Sequence, residues 1–247
     1  MTPHGRGGSR VAPRTRAAAT VVLVASATVA LLPLRACLDD IAPAWTGSHV
    51  VDVGITYQVC ALAMTAGVIG LVRALGARER LLRRGDGDAP AARLRVLGVA
   101  AGEPWRVVLR NFAVIATIAT AVVVFLQVTR GAPGFGAWLV PALALAFPFA
   151  AVNAAVEEGL LRVALLEGTA EVLGNERAAL LSGGLFGAVH YFGVPGGLPG
   201  VVMAGFLGFV LARSVVETGG ALGAWFVHFL QDVVIFTLLF AVAWAVR

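Results

Sequence analysis

The chain has 247 residues, of which 59% are hydrophobic and 13% are charged. Soluble domains are about 45–50% apolar and about 25% charged, so this composition excludes a disordered polypeptide, a disulfide-rich secreted domain and an ordinary soluble enzyme. The formal net charge is +5, and all 19 basic residues are arginine. Because the arginines lie between apolar runs rather than on one basic face, nucleic acid is not an expected partner. The composition instead predicts a membrane protein surrounded by the lipid bilayer.

Long apolar runs follow a short basic segment at the N-terminus. Residues 1–16 combine arginine with glycine and proline, and they predict a disordered cytoplasmic tail. Residues 17–247 predict a helical membrane domain, because each apolar run is close to the ~20 residues that cross a bilayer as a helix. We therefore predict an all-α polytopic bundle with about seven spans, at residues 17–34, 53–75, 111–128, 138–156, 178–192, 198–216 and 221–246.

Arginine is distributed unevenly between the predicted loops. The loop after the second span contains seven of them, Arg73, Arg78, Arg80, Arg83, Arg84, Arg93 and Arg95, whereas the loops on the opposite side are arginine-poor. Cytoplasmic loops are enriched in basic residues, so the pattern predicts a plasma-membrane protein with its N-terminus in the cytoplasm. Within this loop, residues 93–110 alternate arginine with apolar residues and predict an amphipathic helix on the membrane surface.

Glycine recurs at helical spacing in two of the predicted spans. Gly183 and Gly187 are four residues apart in one span, and Gly200, Gly205 and Gly208 lie in the next. Small residues on a helix face let two helix backbones approach closely. The spacing therefore predicts tight packing of these two helices against their neighbours.

Ionisable residues within or beside the apolar runs mark the candidate site, because such groups are costly in lipid and are functional by default. Six residues are of this kind: Glu157, Glu158, Arg162, His190, His228 and Asp232. Glu158 and Arg162 are four residues apart, which predicts an ion pair along one helix. Glu157 is rotated by about 100° from Glu158 and has no such partner. An unpaired buried carboxylate can serve as a general base.

His228 and Asp232 are also four residues apart, so both side chains project from one helix face. This spacing suits an aspartate that orients an imidazole, or two ligands of one metal ion. His190 comes from a separate helix, and two histidines with a glutamate form the ligand set of several hydrolytic zinc sites. The same groups can also work without metal, with Glu157 activating a water molecule. The residues alone leave both chemistries open.

The order of these residues resembles that of a known family. Glu157-Glu158-x-x-x-Arg162, then Phe186-x-x-x-His190, then His228-x-x-x-Asp232 resembles the CPBP family of intramembrane proteases, which is the CAAX-protease and bacteriocin-processing (Abi) group. The similar region covers about residues 140–234. The resemblance implies hydrolysis of a peptide bond in a membrane-anchored peptide or protein substrate.

The resemblance also implies roles for the six residues. Glu157 and His190 would activate water, and His228 and Asp232 would stabilise the oxyanion. Glu158 and Arg162 would be supporting residues. If the reaction uses a divalent metal, zinc is favoured, and the ligands would be Glu157, His190, His228 and Asp232.

Asp232 departs from the family pattern, in which asparagine is the commonest residue at this position. An amide can donate a hydrogen bond to an oxyanion, whereas an ionised carboxylate cannot. This departure keeps two other functions open. One is a non-proteolytic immunity or scaffold protein of the same family, and the other is an ion or proton transporter that uses the buried groups as a relay.

The predicted spans place Glu157 and His190 at different depths. Glu157 follows the fourth span near its cytoplasmic end, and His190 lies near the opposite end of the fifth. At 1.5 Å per residue the expected gap in depth is about 15–20 Å. A shared site then requires unequal burial, a tilted fourth helix or a re-entrant segment between Arg162 and Arg177.

Overall fold

The computed structural model describes residues 11–77, 81–94, 98–130 and 133–246. In this part of the chain the regular structure is helical and no strand is formed, which confirms the predicted all-α class. The α-helices are α1 (Pro13–Asp39), α2 (His49–Ala74), α3 (Trp105–Val128), α4 (Leu139–Glu158), α5 (Leu165–Leu173), α6 (Asn175–Val189), α7 (Gly197–Thr218) and α8 (Leu222–Ala245).

Six helical segments of the described residues are long and apolar enough to cross a membrane. They are α1, α2, α3, the continuous stretch Phe135–Leu173, α7 and α8. The span predicted at 178–192 is not among them, because α6 has only 15 residues and is about 22 Å long. Helix α1 begins at Pro13, inside the segment predicted as a disordered tail. Proline suits the first turn of a helix, where its missing N–H costs no hydrogen bond.

The fourth span is longer than its apolar run indicates. Helix α4 continues through a π-helical segment, Gly159–Ala164, into α5, and the chain reverses at Gly174, whose φ of +78° is a glycine conformation. Glu157 lies 17 residues before this turn, and His190 lies 16 residues after it. Both residues are therefore about 25 Å from the turn. The expected gap in depth is wrong, because the helix does not end beside Glu157.

One end of the bundle is held together by charged contacts between helices. Arg16 Nη2 lies 2.5 Å from Glu171 Oε2, and Arg73 Nε lies 3.2 Å from Glu167 Oε2. These pairs join α1 and α2 to α5 at the end that carries the arginine-rich loop. The uneven distribution of arginine in the sequence is thus a difference between the two ends of the folded bundle.

The loop before α3 does not form the predicted surface helix. In the described part of residues 93–110, Leu94 pairs with Val99 in an isolated antiparallel bridge, and α3 begins only at Trp105. The preceding Pro104 disfavours helical backbone before it. The Trp105 side chain is fully buried, and its Nε1 donates to Glu217 Oε2 over 2.9 Å. Trp105 is the one tryptophan in this segment, and its burial makes it unavailable as the lipid-facing anchor of a surface helix.

Helices α6 and α7 pack closely through their glycines, as the spacing predicts. A Cβ atom added at Gly183 would lie 2.8 Å from the Gly205 carbonyl oxygen, and one added at Gly187 would lie 2.7 Å from the Val201 carbonyl oxygen. Both distances are shorter than van der Waals contact, so a larger side chain would force the helices apart. This packing holds His190, at the end of α6, against the rest of the bundle.

Candidate active site

The first two site residues lie where α4 widens into the π-helical segment. Glu157 and Glu158 are the last residues of α4, and Arg162 lies within the π segment, all of whose residues are buried. Ser182 on α6 donates from Oγ to the Leu161 carbonyl oxygen over 2.6 Å. π-Helical turns disturb the regular backbone hydrogen bonds and are frequent at functional sites. Here a neighbouring hydroxyl supplies a hydrogen bond to one of the carbonyls.

The predicted ion pair between Glu158 and Arg162 is present and buried. Arg162 Nε lies 3.3 Å from Glu158 Oε2, and the side chains are 0% and 3% exposed. The other carboxylate oxygen, Oε1, lies 2.8 Å from Nδ1 of His228. Glu158 therefore connects the arginine to the histidine. The Glu158–His228 contact joins residues 70 positions apart, and the sequence did not indicate it.

Phe186 packs against three of the charged or titratable groups. Arg162 Cζ lies 4.3 Å from the centre of the phenyl ring, an arrangement that favours the guanidinium cation. The same ring lies 4.3 Å from the His190 ring and 5.3 Å from the His228 ring, measured between centroids. Phe186 is thus the apolar surface on which these side chains are held.

Two carboxylates face the second nitrogen of His228. Glu157 Oε2 and Asp232 Oδ1 each lie 3.6 Å from His228 Nε2. This distance is longer than a direct hydrogen bond, so neither carboxylate is a direct hydrogen-bond partner of Nε2. Two of the predicted catalytic residues, Glu157 and Asp232, therefore face one ring nitrogen of a third, His228.

Asn153 is a site residue that the sequence analysis missed. Its Nδ2 donates to Glu157 Oε1 over 3.0 Å and to Asp232 Oδ2 over 3.1 Å. It lies on α4, one helical turn before Glu157 and on the same face. A polar amide inside an apolar run, four residues before an unpaired glutamate, was a signal that could have identified it.

His190 lies in a short 3₁₀ turn directly after α6. Its Nδ1 lies 2.8 Å from the Phe186 carbonyl oxygen. A carbonyl only accepts hydrogen bonds, so Nδ1 carries the proton and Nε2 of the neutral ring is an acceptor. The structure therefore favours an imidazole that can accept a proton.

The site lies within a region of the chain that matches a known family. Residues 135–234 match the family described as type II CAAX prenyl endopeptidase Rce1-like. We refer to residues 135–234 as the Rce1-like domain, after the family that they match. It contains all six residues predicted from the sequence, together with Asn153, so the resemblance is confirmed. Helices α1 to α3 precede the matched region. Neither a curated protein nor a solved structure matches the chain.

Two cavities meet at the site of the Rce1-like domain. The polar cavity has a volume of about 310 Å³, and its lining includes Glu157, His190, Asp232, Asn153, Tyr57 and Arg35. The apolar cavity has a volume of about 190 Å³ and is lined mostly by apolar residues of α3, α7 and α8. His190 and Asp232 line both cavities, and His228 lines the apolar one. The convergent side chains thus lie where the two cavities meet, and the polar cavity is named for these side chains because the rest of its lining is largely apolar.

The predicted metal ligands do not form a metal site as they are arranged here. Among the residues that the structure describes, no group of three or more His, Cys, Asp or Glu side chains is placed to hold a metal ion. The hydrogen bonds with Glu158 and Asn153 leave His228 Nε2 and one oxygen each of Glu157 and Asp232 free, so these bonds do not decide the question. Zinc binding by Glu157, His190, His228 and Asp232 stays a prediction, and the reaction below has no step through a metal.

Proposed function

We propose that the protein is an intramembrane endopeptidase that hydrolyses a peptide bond of a membrane-associated protein or peptide. The Rce1-like domain supports the protease class. The observation that carries the proposal is the state of the Glu157 carboxylate. Its Oε1 accepts a hydrogen bond from Asn153, whereas Oε2 is buried, has no hydrogen-bond partner and lies near His228. A buried acceptor without a partner is rare in folded proteins, and it is the group that can take a proton from water.

The reaction begins with a water molecule between Glu157 and His190. Glu157 Oε2 takes a proton from this water, and His190 Nε2 accepts a hydrogen bond from its other O–H group. The water oxygen then attacks the carbonyl carbon of the substrate. The new C–O bond leaves a negative charge on the former carbonyl oxygen. The C–N bond then breaks as Glu157 returns its proton to the leaving nitrogen. The products are a carboxylic acid and an amine, and the enzyme groups return to their starting state.

His228 stabilises the tetrahedral intermediate. In its imidazolium form, the ring donates from Nδ1 to Glu158 and from Nε2 to the oxyanion. Asp232 Oδ1 lies 3.6 Å from the same Nε2. An ionised Asp232 does not donate to the oxyanion, so its role is to favour the imidazolium charge of His228. This assignment accommodates aspartate at a position where the family commonly has asparagine.

The two cavities suggest how the substrate lies. The apolar cavity accepts the part of the chain that comes from the lipid phase, and the polar cavity supplies water to Glu157. A membrane-anchored peptide or protein fits this arrangement. We place the protein in the plasma membrane with its N-terminus in the cytoplasm, on the basis of the arginine distribution.

Cleavage of a pooled membrane-peptide library by the purified protein in liposomes tests the proposal. We expect Glu157→Gln to lower the cleavage rate by about 10²–10⁴-fold, which is the range for loss of a general base, and His190→Ala to lower it as well. The matched control is Glu176→Gln, which changes an exposed glutamate of α6 in the same way.

Two outcomes would contradict the proposal. One is a Glu157→Gln protein that cleaves as fast as wild type. The other is a wild-type protein that cleaves nothing while both variants still complement a deletion in cells. Proton flux into liposomes without cleavage would then indicate transport, and a captured protein partner would indicate an immunity or scaffold role.

A further inference from the structure

Asn153, Glu157, His228 and Asp232 form a closed ring of contacts. Going around it, the Asn153 amide nitrogen contacts Glu157 Oε1 at 3.0 Å, and Glu157 Oε2 faces His228 Nε2 at 3.6 Å. His228 Nε2 faces Asp232 Oδ1 at 3.6 Å, and Asp232 Oδ2 contacts the Asn153 amide nitrogen at 3.1 Å. Each carboxylate therefore uses one oxygen to bind the amide and turns the other toward the imidazole.

We infer that Asn153 is a positioning residue, which holds the Glu157 and Asp232 carboxylates so that their free oxygens face His228. This role rests on the proposed protease function. The side-chain amide has two N–H groups, and both are used here on acceptors of different helices, since Glu157 lies on α4 and Asp232 on α8. Asn153 touches no substrate atom in this proposal, and it acts through the two carboxylates.

The need for a donor at position 153 follows from the charges around it. Two carboxylates that approach one imidazole repel each other, and each also has an oxygen that faces away from the histidine and accepts from Asn153. An apolar residue at 153 would leave both of these partly buried oxygens without this donor, which costs free energy. Glu157 would then turn into the polar cavity, where Tyr57 and Arg35 also lie. The amide thus fixes which oxygen of Glu157 is free to take a proton.

Gln58 provides a matched comparison for this amide. Its Nε2 donates to the Phe149 carbonyl oxygen of α4 over 3.4 Å, and the side chain is buried. It is therefore another buried amide that donates across helices to α4, but it contacts neither carboxylate. Replacement of either amide by leucine removes hydrogen bonds and keeps the side-chain volume similar.

The test measures kcat, KM and thermal unfolding for Asn153→Leu, Asn153→Gln and Gln58→Leu on a substrate that the wild type cleaves. For Asn153→Leu we expect kcat to fall by about 10–100-fold while KM stays within about twofold, because the lost interaction acts in the chemical step. Asn153→Gln keeps an amide donor, and we expect it to recover part of kcat. Gln58→Leu should keep the wild-type kcat. An Asn153→Leu protein with wild-type kcat, or an equal loss in Gln58→Leu, would overturn the inference.

A measurement without substrate separates the failure of this inference from the failure of the proposed function. The unfolding midpoints of Asn153→Leu, Glu157→Leu and the double variant give a thermodynamic cycle, because each single change removes the Asn153–Glu157 hydrogen bond. If Asn153 holds Glu157, the double variant should be more stable than the sum of the single effects predicts, by about 2 °C or more. Additive effects on stability, together with cleavage that depends on Glu157, would contradict the positioning role of Asn153 but not the proposed protease function. Coupled effects without any cleavage would leave Asn153 as a positioning residue of a site that is not a protease.

Discussion

Two partly buried glutamates, Glu217 at the arginine-rich end and Glu157 in the middle of the bundle, have opposite environments. Glu217 Oε1 pairs with Arg213, and its Oε2 accepts hydrogen bonds from Trp105 Nε1 and the Ala92 backbone N–H, both over 2.9 Å. Both oxygens of Glu217 are thus satisfied. Glu157 has one satisfied oxygen and one that is buried without a hydrogen-bond partner.

The difference between these glutamates separates structural from reactive charge. At the end of the bundle, arginines and backbone N–H groups satisfy the carboxylates, which joins helices and loops together. In the middle, three carboxylates surround His228, and one arginine forms an ion pair with one of them. Buried groups that lack partners cost stability, and Glu157 Oε2 is such a group in the central site.

The largest loss of stability is expected when one partner of the buried Glu158–Arg162 ion pair is removed. Glu158→Leu leaves the fully buried Arg162 without its carboxylate, and removal of one partner of a buried pair costs about 3–5 kcal/mol of unfolding free energy. The double variant Glu158→Leu/Arg162→Met removes both charges and should regain much of that loss. Unfolding in detergent measures both variants. A double variant that is no more stable than Glu158→Leu would show that the pair is not the main interaction of Arg162.

Glu217→Gln should reduce stability and leave the chemistry intact. The amide oxygen can still accept one hydrogen bond, but the charge that pairs with Arg213 is lost, so we expect a cost of about 1–3 kcal/mol. Cleavage by the folded variant should stay within about threefold of wild type, which is less than 1 kcal/mol in the barrier. A rate reduced as strongly as in Glu157→Gln would remove the distinction between the two glutamates.

Asp232→Asn should change activity only moderately. The asparagine oxygen can still accept from Asn153, and its amide can donate to the oxyanion, as in the commoner family pattern. The loss is that His228 no longer has this carboxylate beside Nε2. These effects oppose each other, so we expect kcat within about tenfold of wild type, or about 1.4 kcal/mol. Loss of activity as complete as in Glu157→Gln would show that the Asp232 carboxylate is itself required.

Chelation distinguishes the two forms of hydrolysis that the sequence leaves open. In the described arrangement no ligand group is placed to hold a metal ion, so we expect cleavage after chelator treatment to stay within about twofold, or about 0.4 kcal/mol. The metal content of the purified protein is measured in parallel. Two results together would instead support the predicted ligand set. Chelation would abolish an activity that added zinc restores, and zinc would be retained by the wild type but absent from His228→Ala.

Local features of the chain were predictable from the sequence, because they depend on residues that are neighbours along a helix. Apolar runs predict helices in lipid, since a helix satisfies its own backbone hydrogen bonds. The Glu158–Arg162 pair follows from a spacing of four residues, and the glycines of α6 and α7 follow from the same rule. The order of the three motifs was sufficient to indicate the family.

Contacts between distant parts of the chain were decided by the tertiary structure. The sequence alone did not place Nδ1 of His228 on Glu158, or the Asn153 amide on Asp232 79 residues away. The apolar run also predicted that the fourth span ends beside Glu157. Composition does not show that the helix continues through a buried π segment, Gly159–Ala164. That continuation brings Glu157 and His190 to the same depth. The sequence thus determined which charged groups enter the membrane, and packing between helices determined which of their atoms stay without a partner.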